Sequence, residues 1–83
     1  MSYEVKLTST ALEQIKKLDS ETQRRTAMKL QELAVNPHLS EAKNLDNADF
    51  LYKISLDDYR IVYQIEDEFS LVTIVKIAHL RDY

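Results

Sequence analysis

The sequence contains no glycine, no cysteine and no tryptophan, and its one proline is Pro37. Without glycine there is no phosphate-cradling loop of the Walker type and no dinucleotide fingerprint, because both need backbone positions that only glycine occupies. Nucleotide-cofactor enzymes of the common kinds are thereby excluded. Without cysteine there are no disulfides, thiolate zinc sites or cysteine nucleophile, and a reducing compartment is the natural setting. His38 and His79 are the only histidines, too few for a histidine-rich catalytic metal site, so neither a metal nor a cofactor is expected. No stretch approaches the roughly 18 apolar residues of a membrane span, and the start, MSYEVKLTST, lacks the apolar core of a signal peptide. A cytosolic protein with no membrane partner is the expectation.

What is present suits one folded domain spanning residues 1–83: 45% of the residues are hydrophobic and 30% charged. A chain of this size buries roughly 60–65% of its unfolded surface, so the core is a single thin layer. The net charge is −3, with seven basic and seven acidic residues in 1–47 against four basic and seven acidic in 48–83. That balance does not suit a protein that coats nucleic acid by charge alone, so any anion site must be local and geometric.

Tyr3, Val5 and Leu7 alternate with Glu4 and Lys6, the period of a half-buried strand. Thr10 followed by Glu13 fits a capping box, and Ala11, Leu12, Ile15 and Leu18 then share one side of a helix reaching Leu18. Ser20 with Gln23 offers a second box before Ala27, Leu30, Leu33 and Ala34, and this helix ends near Val35 because the residue before Pro37 is driven from helical geometry. The segment from His38 to Ala48 is polar and unpatterned and reads as a long loop crossing the sheet edge. Three apolar runs follow, Phe50–Leu56, Tyr59–Ile65 and Phe69–Ala78, divided by Asp57-Asp58 and by Glu66-Asp67-Glu68. The expected fold is α+β: an N-terminal strand, a two-helix hairpin and a three-stranded antiparallel meander, one small sheet with helices on one face.

A two-residue turn at Asp57-Asp58 sets Leu56 opposite Tyr59, Ser55 opposite Arg60, Ile54 opposite Ile61 and Lys53 opposite Val62. One face then carries Tyr52, Ile54, Leu56, Tyr59, Ile61, Tyr63 and Ile65, apolar enough to seat the helices, and the other carries Lys53, Ser55, Arg60, Val62 and Gln64. Lys53 and Arg60 are diagonal neighbours on this open face, roughly 7–8 Å apart in the backbone, so their heads can converge on one phosphate. The plainer alternatives are solvated charges, or Arg60 paired with Asp57 or Asp58 at the turn. Lys76 joins that face if the following turn has three residues and not if it has two. Val62 and Leu51 are expected as exposed apolar side chains there. At the end of the chain His79, Arg81 and Tyr83 offer proton transfer, charge stabilisation and base stacking, or simply a capped strand end. His38 reads as an exposed loop residue, and Lys16, Lys17, Arg24 and Arg25 as solvated helix charges.

The order of elements, the run LYKISLDDYRIVYQIED and the ending IVKIAHLRDY resemble the RelE/ParE family of bacterial toxin–antitoxin toxins over nearly the whole chain. DYRIVY and the terminal histidine-plus-arginine segment are the most specific pieces, and the helical hairpin ending in Asn-Pro before Lys-Asn-Leu adds to them. Tyr52-Lys53 and Tyr63-Gln64 resemble the RelE branch, whose members cut messenger RNA in the ribosomal decoding site, more than the gyrase-poisoning ParE branch. The resemblance implies Arg60 as the central strand arginine, Lys53 as the basic position before it, and His79, Arg81 and Tyr83 as the terminal site. It also implies metal-free endoribonuclease chemistry that inhibits translation, and a cognate antitoxin, the ribosome and mRNA as partners. The alternatives are a DNA gyrase inhibitor, or an inactive member that binds only its antitoxin. The family commonly has His-Arg directly after the last strand; here Leu80 follows His79, so Arg81 is either a shifted counterpart or the second arginine is lost.

Overall fold

The computed structural model describes residues 2–45 and 50–82. Its elements are β1 (Glu4–Leu7), α1 (Ser9–Lys16), α2 (Ser20–Val35), β2 (Lys43–Asn44), β3 (Leu51–Leu56), β4 (Tyr59–Glu66) and β5 (Leu71–His79), with single turns of 3-10 helix at Asp67–Phe69 and Leu80–Asp82. The expected order is found, with β2 added inside the segment read as a loop. The sheet runs β1-β5-β4-β3-β2: β1 lies parallel to β5, and the other neighbours are antiparallel.

Local signals explain the helices, with two corrections. α1 is capped by Thr8, whose Oγ1 accepts from the Ala11 N–H at 3.1 Å, so the chain enters the helix earlier than the Thr10–Glu13 spacing predicts. It also ends at Lys16, not Leu18. α2 follows Asp19, and Gln23 serves the hairpin: its Nε2 donates at 2.9 Å to the Ile15 carbonyl, which also accepts from the Leu18 N–H at 3.1 Å, and so ties α2 to the end of α1. Asn36 is extended before Pro37, which stops α2 as expected.

The helices cover one side of the sheet. Ile54, Ile61, Tyr63, Ile65, Val72, Ile74 and Ile77 are buried there beneath Ala11 and Leu33. The Tyr63 hydroxyl donates to the Pro37 carbonyl at 3.0 Å, giving the buried phenol a partner. Desolvation pushes this hydroxyl up to about 12.

The β3–β4 hairpin has the expected register: Leu56 faces Tyr59, Ser55 faces Arg60, Ile54 faces Ile61 and Lys53 faces Val62. Asp57 takes φ 53°, a left-handed conformation that aspartate tolerates better than most residues in a chain lacking glycine. The β4–β5 connection differs from both expected lengths, since four residues, 67–70, lie between paired Glu66 and Leu71. It absorbs Phe69, which is exposed rather than part of a strand.

A bulge in β5 then resets the alternation. Tyr63 pairs with Ile74 but Val62 pairs with Lys76, leaving Val75 as the extra residue. Continuing the first register would have set Lys76 opposite Ile61, in the core. The bulge instead places Lys76 on the open face and returns Ile77 to the core.

Candidate functional site

On the open face the register builds rows of side chains across the strands. One row is Lys43, Lys53, Val62 and Lys76, from β2, β3, β4 and β5; the next is Ser55, Arg60 and Ala78. Arg60 is thus diagonal to both Lys53 and Lys76, at roughly 7–8 Å in the backbone, and those two lysines stand about 10 Å apart across β4. Neither row contains a carboxylate. Lys43 directly opposite Lys53 is a like-charge pair, an arrangement that costs a sheet stability and so points to a use other than folding.

Val62 corrects the expectation of an exposed apolar residue, for only 4% of it is accessible. It sits between Lys53 and Lys76 in its row, on β4, the middle strand of the sheet. Leu51 is half-buried. Lys53, Arg60 and Lys76 are half-buried as well, so this part of the face is partly ordered by packing. Arg60 Nη1 donates to the Tyr59 carbonyl at 3.1 Å, which orients the guanidinium. Of the two turn carboxylates that were alternative partners for Arg60, Asp57 is engaged elsewhere: it takes both oxygens to Arg25 Nη1, at 2.9 and 3.1 Å. Arg25 therefore ties α2 to the turn and is more than a solvated charge.

The terminal residues do not join this group as a set. His79 pairs with Tyr59, on the helix side of the sheet, and its ring meets the Tyr59 ring edge-on at 5.2 Å. Its Nδ1 accepts from the Arg81 backbone N–H at 3.2 Å, which leaves the proton of a neutral ring on Nε2. A strand has two sides, and His79 takes the one opposite Arg60. The Leu80 N–H donates to the Asp58 carbonyl at 2.6 Å, fastening the terminal turn to the β3–β4 turn, and Arg81 is exposed on it. Tyr83 lies outside the described residues.

Two recesses border the open side. The smaller, about 180 Å³, is lined by Glu41, Lys43, Lys53, Ile54, Ser55 and Arg60. The larger, about 360 Å³, lies between Phe50, Tyr52 and Phe69 beside Glu66, Asp67 and Glu68, whose charge repels a phosphate. The smaller recess sets Lys43, Lys53 and Arg60 against the single carboxylate of Glu41 and is the better candidate for an anion despite its size. The acidic end is a structural cluster: Asp67 accepts from the Tyr3 hydroxyl at 2.6 Å and meets His38 Nε2 at 2.8 Å. These bonds, Tyr3 first, hold the Asp67 carboxyl below its ordinary range, and Asp67 in turn raises the Tyr3 hydroxyl. His38 is the exposed loop residue expected, and its ring also meets Tyr52 edge-on at 5.9 Å. Among the described residues no group of three or more histidines, aspartates or glutamates is placed to hold a metal ion.

The ParE toxin of the type II toxin–antitoxin system parDE has a family model that matches residues 5–82. This chain belongs to that toxin family. The match spans β2 to β5, all of β1 but Glu4, and the terminal turn, so the cationic rows lie wholly within the ParE-family region. Among individual relatives, a RelE-like toxin protein of Escherichia coli is 38% identical over 80 residues, covering 94% of this chain and 83% of that protein. The isolated E. coli RelE toxin superposes with a TM-score of 0.84 at 30% identity, over 94% of this chain and 84% of that one. A chain of the intact E. coli RelBE toxin–antitoxin complex gives 0.83 at 30% identity, over 94% and 96%.

Of the residues singled out in the sequence, Lys53 and Arg60 are brought together and His79 is turned away. Lys43 was missed because nothing in its polar segment marks a strand; Lys-Asn-Leu drew notice only through the family resemblance. Lys76 was visible as a candidate, but its side depends on the bulge.

Proposed function

We propose that this toxin-family chain is a metal-independent endoribonuclease that cuts messenger RNA on the ribosome and so halts translation. The observation that carries the reading is the juxtaposition of Arg60 with Lys53 and Lys43 around one recess on an open sheet face. In the reaction a ribose 2′-oxygen attacks the adjacent phosphorus, the new O2′–P bond forms, and the P–O5′ bond breaks. The 2′ proton passes to a base and another returns to the 5′-oxygen. Negative charge grows on the non-bridging oxygens, where a preorganised guanidinium and neighbouring ammonium groups stabilise it. Arg60 fills this role with Lys53 assisting; a lysine of the row or a group of the ribosomal RNA moves the proton. His79, facing the helices, suits the packing of the terminal turn better than proton transfer.

The cognate antitoxin is the second partner, a reading supported by the likeness to E. coli RelE in its complex with RelB. Met28, Val35, Phe50, Phe69 and Leu80, each half or more exposed, supply apolar surface for it to cover. No helix among the described residues is long and apolar enough to cross a membrane, in keeping with action in the cytoplasm. A second reading, inhibition of DNA gyrase, is favoured by the ParE family match and by Leu80 standing where the family commonly has arginine. Expression without the antitoxin followed by primer extension on reporter messages separates the two. Translation-dependent cuts are expected; loss of DNA supercoiling with translation intact would overturn the ribonuclease in favour of gyrase.

A further inference from the structure

We infer that Lys76 is a third phosphate-contacting cation of this face, and that Thr8 and Gln14 of the helix side are the residues that position it. The inference rests on the ribonuclease reading of the open face. It begins from the β5 bulge, which alone decides whether Lys76 points to the RNA side or into the core. A bulge leaves backbone groups out of the ladder, and buried groups of that kind need partners.

α1 supplies them. Thr8 Oγ1 donates to the carbonyl of Val75, the bulged residue, at 2.7 Å, while accepting from the Ala11 N–H as the helix cap. The Thr8 N–H donates to the Ile74 carbonyl at 3.0 Å. On the other side of the bulge the Ile77 N–H donates to Gln14 Oε1 at 2.6 Å. The two side chains therefore hold the backbone on either side of Lys76, at Val75 and Ile77, from the face opposite to its ammonium. With that alternation fixed, Lys76 stands in the row of Lys43 and Lys53 and diagonal to Arg60. Lys53, Arg60 and Lys76 form a triangle over the middle of the sheet, wide enough for the phosphates flanking a splayed nucleotide as well as the scissile one.

Single-turnover cleavage on programmed ribosomes tests this, with circular dichroism as the folding control. Lys76→Ala, on the solvent side, is expected to fold and to lose about 10-fold in rate, with Lys76→Arg recovering most of it; removing one phosphate contact also flattens the salt dependence of association by about 0.7 in log–log slope. Thr8→Val and Gln14→Leu are each expected to lose about 5- to 10-fold, with Thr8→Ser, which keeps the hydroxyl, near wild type. Combined with Lys76→Ala, neither should lose more, because all three act through one ammonium. Full rate in Lys76→Ala beside a collapse in Arg60→Ala would overturn this inference and leave the ribonuclease reading intact; full rate in both would overturn the inference together with the open face as the cleavage site, and no cleavage by the wild type would overturn the ribonuclease reading itself. Multiplicative losses in the double variants would overturn the positioning role. Should Thr8→Val not fold, Gln14→Leu with and without Lys76→Ala decides the same point.

Discussion

At the turn between β4 and β5 the Asp67 carboxylate takes the Tyr3 hydroxyl and the His38 ring, and Tyr63 beneath them donates to Pro37, so each polar group there completes another. Further along the same sheet Lys43 faces Lys53, Lys76 completes their row and Arg60 lies diagonal to two of them. The first region spends its polar chemistry on joining α2, β1 and the β4–β5 turn into one body. The second gathers three lysines and an arginine with only Glu41 beside them, an excess of one sign that folding alone disfavours. Groups that hold a fold are matched in charge, and the proposed ribonuclease reading gives the excess of cations in the second region its use.

That contrast is open to direct attack. Arg60→Ala removes the planar, permanently charged fork of the cationic region and is expected to cost roughly 2–4 kcal/mol of transition-state stabilisation, with an unchanged circular dichroism spectrum. Wild-type cleavage on programmed ribosomes in this variant would erase the distinction between the regions.

The joining region answers to stability instead. Tyr63→Phe orphans the Pro37 carbonyl and is expected to lower unfolding free energy by about 1–2 kcal/mol in urea titrations. The sign of its pH dependence follows from a hydroxyl raised from 10.0 to about 12. The stabilisation is complete below the unfolded value and is lost as pH rises from that value through the folded one. The wild type should therefore lose stability over this alkaline interval more steeply than Tyr63→Phe, and equal slopes would show that the phenol is not held neutral by the fold.

Lys43→Glu sharpens the comparison by setting stability against function. Replacing a like-charge pair with an opposite one should raise stability by a few tenths of a kcal/mol, while the cleavage rate falls. A variant both less stable and fully active would remove the argument from the facing lysines.

The smallest effect is expected at Asp67. Its carboxyl is held low by Tyr3 and then His38, so its contribution is present above the unfolded carboxylate range and is lost as pH falls through the lowered folded value. Asp67→Asn should melt slightly below wild type near neutrality and indistinguishably in acid, with cleavage unaffected.

Much of this was legible in the chain. Alternation in Tyr59–Ile65 and a two-residue Asp57-Asp58 turn are local facts, and they were enough to set Lys53 opposite Val62 and Ser55 opposite Arg60. Helix spacing placed Ala11 and Leu33 in the core, and Pro37 marked the end of α2. The resemblance carried by DYRIVY and the terminal segment agrees with the family that matches residues 5–82.

What stayed hidden depended on contacts between distant parts of the chain. β2 exists because β3 offers it an edge, not because Lys43-Asn44 has strand character. Val62 is buried on the middle strand of the sheet, in a row whose other members come from three other strands. Asp57 pairs with Arg25, 32 residues away in sequence, rather than with the nearby Arg60. The sequence by itself determined the order of the two helices and of every strand but β2, the register of the β3–β4 hairpin and the shared face of Lys53 and Arg60, because periodicity and turn chemistry act over a few residues. Which side of β5 carries Lys76 and which carries His79 was decided by the tertiary structure. One extra residue at Val75, held by Thr8 and Gln14 more than sixty positions earlier, inverts the alternation of everything after it, and no local pattern records that count.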